Sequence, residues 1–166
     1  MKVLYTKDEI QARVKELGKA ISEDYRNQEF VILSILTGAF IFTADLVRCI
    51  DGKYTIEFIK CQSYGDAQVS SGQCVVDMDA NRYVDKSVLI IDDIADTNLT
   101  LKTVSGLLGG AKDVNRCVMF HKPSRAKHDI SLDYVGFEIE DKFIFGYGLD
   151  LEGCYRGFNN VYIFED

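Results

Sequence analysis

The sequence predicts an α/β fold with a mostly parallel core sheet flanked by helices. Three observations carry that reading. Val88-Leu89-Ile90-Ile91 is a continuous apolar run rich in β-branched residues, the composition of a strand buried on both faces of a parallel sheet. Phe30 to Leu36 repeats it, and each run gives way to a polar turn and then to apolar residues at helical spacing. The central run stops at Asp92-Asp93, where a strand leaves the sheet and open α/β folds collect their ligands.

Taken in order, Thr6-Lys7-Asp8-Glu9 has the capping-box form, and Ile10, Val14, Leu17 and Ile21 follow on one helical face that should pack on the sheet. Phe30 to Leu36 is the first buried strand, broken by Thr37-Gly38, where a glycine lets backbone approach a ligand. Phe40 to Asp51, with Ala44, Val47 and Ile50, reads as a crossover helix into a strand at Tyr54 to Cys61, completing a right-handed βαβ unit. Ser63-Tyr64-Gly65 opens a small, polar stretch to Gly72 that suits a mobile surface loop, with Gln73 to Met78 as its returning strand. After Val88 to Ile91 come Asp92-Asp93, the polar residues Asp96 to Thr100, and a helix with Leu101, Val104, Leu107 and Leu108 that ends at Gly109-Gly110. Asp113 to Phe120 is a further strand, ending at His121-Lys122-Pro123. Tyr134 to Ile139 and Phe143 to Gly146 are short strands around Glu140-Asp141-Lys142.

The chain of 166 residues, 47% hydrophobic and 27% charged, suits one domain with a sizeable core. Its formal charge of −7 argues against a nucleic-acid binder, so an anionic substrate must be held locally by loops, a metal and a few bases. The five cysteines are odd in number, scattered and never in C-x-x-C spacing, which reads as reduced thiols in a cytosol. With no signal pattern and no apolar run near the ~20 residues of a membrane span, the expected location is cytoplasmic.

The central element suits a phosphorylated sugar. A tight loop entering a helix aims backbone N–H groups and the positive end of the helix dipole at one spot, which favours a phosphate. Thr97 and Thr100 can add hydroxyl donors, while Asp92 and Asp93 can accept from vicinal ribose hydroxyls or hold Mg²⁺ through its waters. Asp96, inside the loop, would be left free to act on a base. An acidic pair after an apolar strand also opens receiver domains and resembles a Walker B strand. Too little chain follows for a receiver, and no G-x-x-x-x-G-K-[ST] phosphate loop occurs.

V-L-I-I-D-D-I-A-D-T-N-L-T is similar to the phosphoribosyl diphosphate signature of type I phosphoribosyltransferases, and its neighbours resemble the hypoxanthine-guanine (6-oxopurine) branch. Ile35 to Phe40 resembles the diphosphate loop, Gln62-Ser63-Tyr64-Gly65 the mobile lid, and D-Y-V-G-F-E-I-E-D-K-F with G-Y-G-L-D the purine-binding segment. These motifs span nearly the whole chain in the family's order. The resemblance implies the type I phosphoribosyltransferase fold as a single domain over residues 1–166, with a small hood over the purine site built from both chain ends. It implies transfer of the 5-phosphoribosyl group from phosphoribosyl diphosphate to a 6-oxopurine with Mg²⁺, in a homodimer or homotetramer.

Residue by residue, the resemblance makes Asp96 the catalytic base, and assigns ribose and 5-phosphate to Asp92, Asp93, Asp96, Thr97, Asn98, Leu99 and Thr100. Diphosphate falls to Thr37, Gly38, Ser63, Tyr64 and Arg156, the purine to Lys122, Phe143 and Ile144, and metal to Asp92, Asp93 and Asp150. Lys122 would donate to the 6-oxo group, Phe143 would stack on the base, and Ile144 would contribute backbone. Three positions depart from the family: Thr37 replaces a lysine, Asn98 a glycine and Leu99 a frequent lysine. A regulator that senses phosphoribosyl diphosphate or nucleotides in the same pocket is the alternative. The retained Asp96 and the charge of −7 disfavour it.

Overall fold

The structure is a computed structural model that describes residues 1–64 and 73–164, without the side chains of Ser63, Tyr64 and Gln73. The expected loop from Gly65 to Gly72 lies outside the described residues. Thr6 caps helix α1 (Lys7–Asp24) as a true capping box: its hydroxyl accepts from Glu9 N, and its own N–H donates to Glu9 Oε2 at 2.8 Å. Ile10, Val14, Leu17 and Ile21 form the buried face. Strand β2 (Glu29–Leu36), helix α2 (Phe40–Val47) and strand β3 (Lys53–Tyr64) form the expected βαβ unit, with β2 and β3 parallel. Helix α2 stops at Val47 and not Asp51, because the chain tightens into turns with Cys49 N bonded to Leu46 O and Ile50 N to Val47 O. Strand β3 outruns Cys61 because Cys61 to Tyr64 pair antiparallel with β4 (Gln73–Val76).

Strand β5 (Ser87–Ala95) lies beside β2 in parallel, and helix α3 (Leu99–Leu107) carries the chain over to β6 (Asp113–His121), with β7 (Tyr134–Glu138) beyond it. The six-stranded order is β4-β3-β2-β5-β6-β7, parallel except for β4. Leu89 and Ile91 pack toward α1 and α2, while Val88 and Ile90 pack with Leu101 and Val104 of α3. That two-sided burial is why the run contains no polar residue. A second sheet of order β1-β9-β8 joins β1 (Lys2–Tyr5), β9 (Val161–Ile163) and β8 (Ile144–Phe145), so strands from both ends of the chain meet. Lys7 N donates to Asn160 Oδ1 at 2.8 Å and fastens the same junction.

The chain leaves β2 toward β3 on one side and β5 toward β6 on the other. Their C-terminal ends therefore border the crevice of a topological switch point, where such sheets bind ligands.

Candidate functional site

A cleft of about 350 Å³ opens at that switch point. Register builds it: Ser34 pairs with Ile91, so the chain beyond Ser34 runs out beside Asp92 and Asp93. The cleft is lined by Thr37 and Gly38, by Asp92, Asp93 and Asp96 to Thr100, and by Asp150 and Arg156 from the tail. Segments far apart in the chain thus converge on one crevice.

Gly38 is set by close packing on both sides. A Cβ there would run into the Asp93 carboxylate, and a Cβ on Gly148, whose φ is +99°, would run into the Gly38 carbonyl. No larger residue fits either place without moving the loop or the acid. The Leu36–Thr37 peptide is cis.

Asp92 and Asp93 lie within β5, which stays paired with β6 as far as Ala95 instead of leaving the sheet at the two acids as the sequence suggested, and their surroundings differ from those of ordinary surface acids. Asp92 is 7% exposed, and its Oδ1 accepts from Asp93 N at 2.9 Å. Burial pushes its carboxyl well above the usual range, and the neighbouring Asp93 charge adds to the effect. Burial also raises Asp93, whose Oδ1 accepts from Ile94 N at 2.8 Å. Two desolvated acids side by side favour whatever compensates their charge, a cation or donating hydroxyls.

The loop that follows is tied from behind. Thr97 O accepts from Lys127 N at 3.2 Å and His128 N at 3.3 Å, and Asn98 Nδ2 donates to His128 O at 3.1 Å. Asn98 stands at φ 65°, the left-handed region, as expected where the family has glycine, and caps α3 from there. The first-turn N–H groups of α3 have no intrahelical acceptors and face the loop. Leu99 N donates to Thr97 Oγ1 at 3.4 Å.

Asp96 is not left free, as the sequence suggested: its Oδ1 accepts from Arg125 Nε. The short turn Pro123–Arg125 after β6 brings that guanidinium across. Arg125 also reaches Asp141 at 3.4 Å, and Asp141 lies 3.7 Å from Lys122 Nζ. Lys122 is 7% exposed and its backbone N–H donates to Ala95 O at 2.9 Å. Phe143 is 55% exposed, next to Ile144 in β8, which is buried. Lys122, Phe143 and Ile144 thus lie outside the cleft lining, and the Asp96–Arg125–Asp141 contacts link their neighbourhood to it. The backbones of Ser63 and Tyr64 end β3, while their side chains lie outside the described ones. Sequence reasoning passed over Arg125, Asp141 and Gly148, for which only the spacing beside Lys122 and Asp150 gave a signal.

At the tail, Arg156 Nη2 pairs with Asp150 Oδ1 at 2.8 Å and Nη1 donates to Gly148 O at 2.7 Å. Asp150 Oδ2 accepts from Gly153 N at 2.8 Å, so both its oxygens are engaged. Among the described residues no three His, Cys, Asp or Glu stand together as a metal cage. The lining nevertheless sets Asp92, Asp93 and Asp150 against Arg156, with Asp96 already paired to Arg125, an acid-rich edge at which a phosphorylated ligand is better received with a cation beside it. Those carboxylates fit Mg²⁺ held through one or two acids, waters and substrate oxygens.

The chain matches the phosphoribosyl transferase domain family over residues 3–152. It is 42% identical to the hypoxanthine-guanine phosphoribosyltransferase of Aquifex aeolicus, over 100% of this chain and 96% of that protein. The Bacillus subtilis hypoxanthine-guanine phosphoribosyltransferase is 40% identical over 93% of this chain and 88% of its own. A crystal structure of a hypoxanthine phosphoribosyltransferase from Staphylococcus aureus superposes with a TM-score of 0.93 at 35% identity, covering 99% of this chain and 91% of that one. With the fold, the switch-point cleft and full-length relatives in agreement, the chain belongs to the phosphoribosyltransferase family, on its hypoxanthine-guanine branch.

Proposed function

We propose that the protein acts in purine salvage, transferring the 5-phosphoribosyl group of phosphoribosyl diphosphate to hypoxanthine or guanine, with xanthine as a further candidate, to give the nucleoside 5′-monophosphate and diphosphate. The observation that carries this is the convergence of Gly38, Asp92, Asp93, Asp96 to Thr100 and Arg156 on one cleft at the switch point. The named relatives are enzymes, and no observation favours the regulatory alternative.

In this mechanism the α3 N-terminus, with Thr97 and Thr100, receives the 5-phosphate, and Asp92 and Asp93 accept from the ribose hydroxyls. The Thr37-Gly38 backbone, Arg156 and the lid residues Ser63 and Tyr64 take the diphosphate. Mg²⁺, when bound near Asp92, Asp93 and Asp150, would neutralise charge on the leaving diphosphate. The bond from the ribose carbon to diphosphate breaks as the bond to the purine nitrogen forms, through a ribosyl centre of oxocarbenium character that water must not reach. Asp96 takes the proton released from the purine imidazole ring. Lys122 donates to the 6-oxo group, Phe143 stacks on the ring, and Ile144 offers backbone to its edge.

In this reading the chain is one phosphoribosyltransferase domain, with the β1-β9-β8 sheet as the hood over the purine. No helix is long and apolar enough to cross a membrane among the described residues. A cytoplasmic homodimer or homotetramer completes the proposal. Steady-state assays of phosphoribosyl diphosphate with hypoxanthine, guanine and xanthine in turn, with and without Mg²⁺, test it. Failure to consume any of the three bases would refute it.

A further inference from the structure

Four charged groups of alternating sign run from the cleft to the purine side: Asp96, Arg125, Asp141 and Lys122. Arg125 Nε donates to Asp96 Oδ1, Arg125 Nη1 donates to Asp141 Oδ2 at 3.4 Å, and Asp141 Oδ1 lies 3.7 Å from Lys122 Nζ. The members come from three segments: the loop after β5, the stretch Lys122 to Arg125 directly after β6, and the connection between β7 and β8. The two outer members are the groups that the proposed reaction assigns to the purine. On a 6-oxopurine the imidazole nitrogen N7 and the oxygen O6 share one edge, so a proton acceptor and a donor that read them must stand at a fixed separation.

The inner members supply that separation. A guanidinium is a planar fork of permanent charge, able to hold two carboxylates in set positions where an ammonium acts as a single point. Lys122 is 7% exposed, and a cation so buried needs an acid beside it, which Asp141 provides. The side chains of Arg125, Asp96 and Asp141 are 43%, 36% and 50% exposed, so their pairing adds little to stability. Their arrangement bears on where Asp96 and Lys122 point.

We infer that Arg125 and Asp141 are positioning residues for purine recognition, joining Asp96 to Lys122 so that a single 6-oxopurine meets both. The inference rests on the proposed transferase reaction. It is tested by steady-state kinetics on Arg125→Gln, Arg125→Lys, Asp141→Asn and the Arg125→Gln/Asp141→Asn double variant, with thermal melting of each. Arg125→Gln and Asp141→Asn should each lower kcat/KM for hypoxanthine about tenfold, the loss of one charge-assisted hydrogen bond. KM for phosphoribosyl diphosphate and Tm should stay near wild type. The double variant should be little worse than the weaker single, because the pair acts as a unit. Arg125→Lys, able to hold one carboxylate but not both, should fall between wild type and Arg125→Gln. Unchanged kcat/KM for hypoxanthine in Arg125→Gln would overturn the inference while leaving the transferase reading intact. So would a parallel loss of hypoxanthine turnover, phosphoribosyl diphosphate affinity and Tm, which marks a merely structural role. A wild-type protein inactive on every 6-oxopurine would instead remove the reading beneath it.

Discussion

Replacing Gly38 by alanine tests the tightest packing in the cleft. The added methyl points into the Asp93 carboxylate, and the loop cannot retreat because Gly148 lies against the Gly38 carbonyl. Asp93 must therefore turn away. Its carboxylate gives up the 2.8 Å hydrogen bond from Ile94 N, worth about 1.5–3 kcal/mol for a charged acceptor. An off-rotamer side chain adds about 0.5–1.5 kcal/mol. Together these come to about 2–4.5 kcal/mol, or roughly 30- to 1,600-fold in an equilibrium constant at 1.4 kcal/mol per factor of ten. Much of that should appear as weaker binding of phosphoribosyl diphosphate and of inhibitory diphosphate, measured by KM and by product inhibition. Hypoxanthine affinity should change far less, since Lys122 and Phe143 lie outside the cleft lining. Gly38→Ala with wild-type KM for phosphoribosyl diphosphate would show that neither the loop nor Asp93 contributes as argued.

Asp96→Asn should cut turnover by about 10²- to 10⁴-fold while nucleotide binding persists, because the amide keeps the shape but takes no proton; single-turnover rates beside nucleotide titration measure both. Lys122→Gln should lower kcat/KM for hypoxanthine about tenfold or more and narrow its lead over adenine, whose amino group has no hydrogen bond from the ammonium to lose. An unchanged ratio of the two bases would make Lys122 an ordinary buried lysine. Alkaline melting reports on the core: burial pushes Tyr25 and Tyr83 up to about 12 from the ordinary 10.0. Because the folded values are raised, the stability is fully present below pH 10 and lost as pH rises toward about 12. Tm should fall more steeply above pH 10, and less so in Tyr25→Phe; a flat profile to pH 11.5 would contradict the assignment.

Local chemistry made several parts of this protein legible without a structure. The capping box at Thr6 and Glu9, the apolar run from Val88 to Ile91 and the acids that end it are each written in neighbouring residues. Asn98 is another, since a short amide is the non-glycine side chain best suited to a left-handed backbone. Strands β1 and β9 were not legible: four and three residues are too few to show a period, and their pairing joins opposite ends of the chain. The hydrogen bond that engages Asp96 was equally hidden. Asp96 and Arg125 lie 29 residues apart, and nothing along the chain says that the turn after β6 folds back over the loop after β5. Nor does the sequence say that Gly38 abuts Asp93 or that Gly148 closes on Gly38, because those contacts arise from strand register and from the packing of the tail. Residue types and spacing determined which groups can do the chemistry; only the tertiary structure decided which charges face one another, since that depends on contacts between segments distant in the chain.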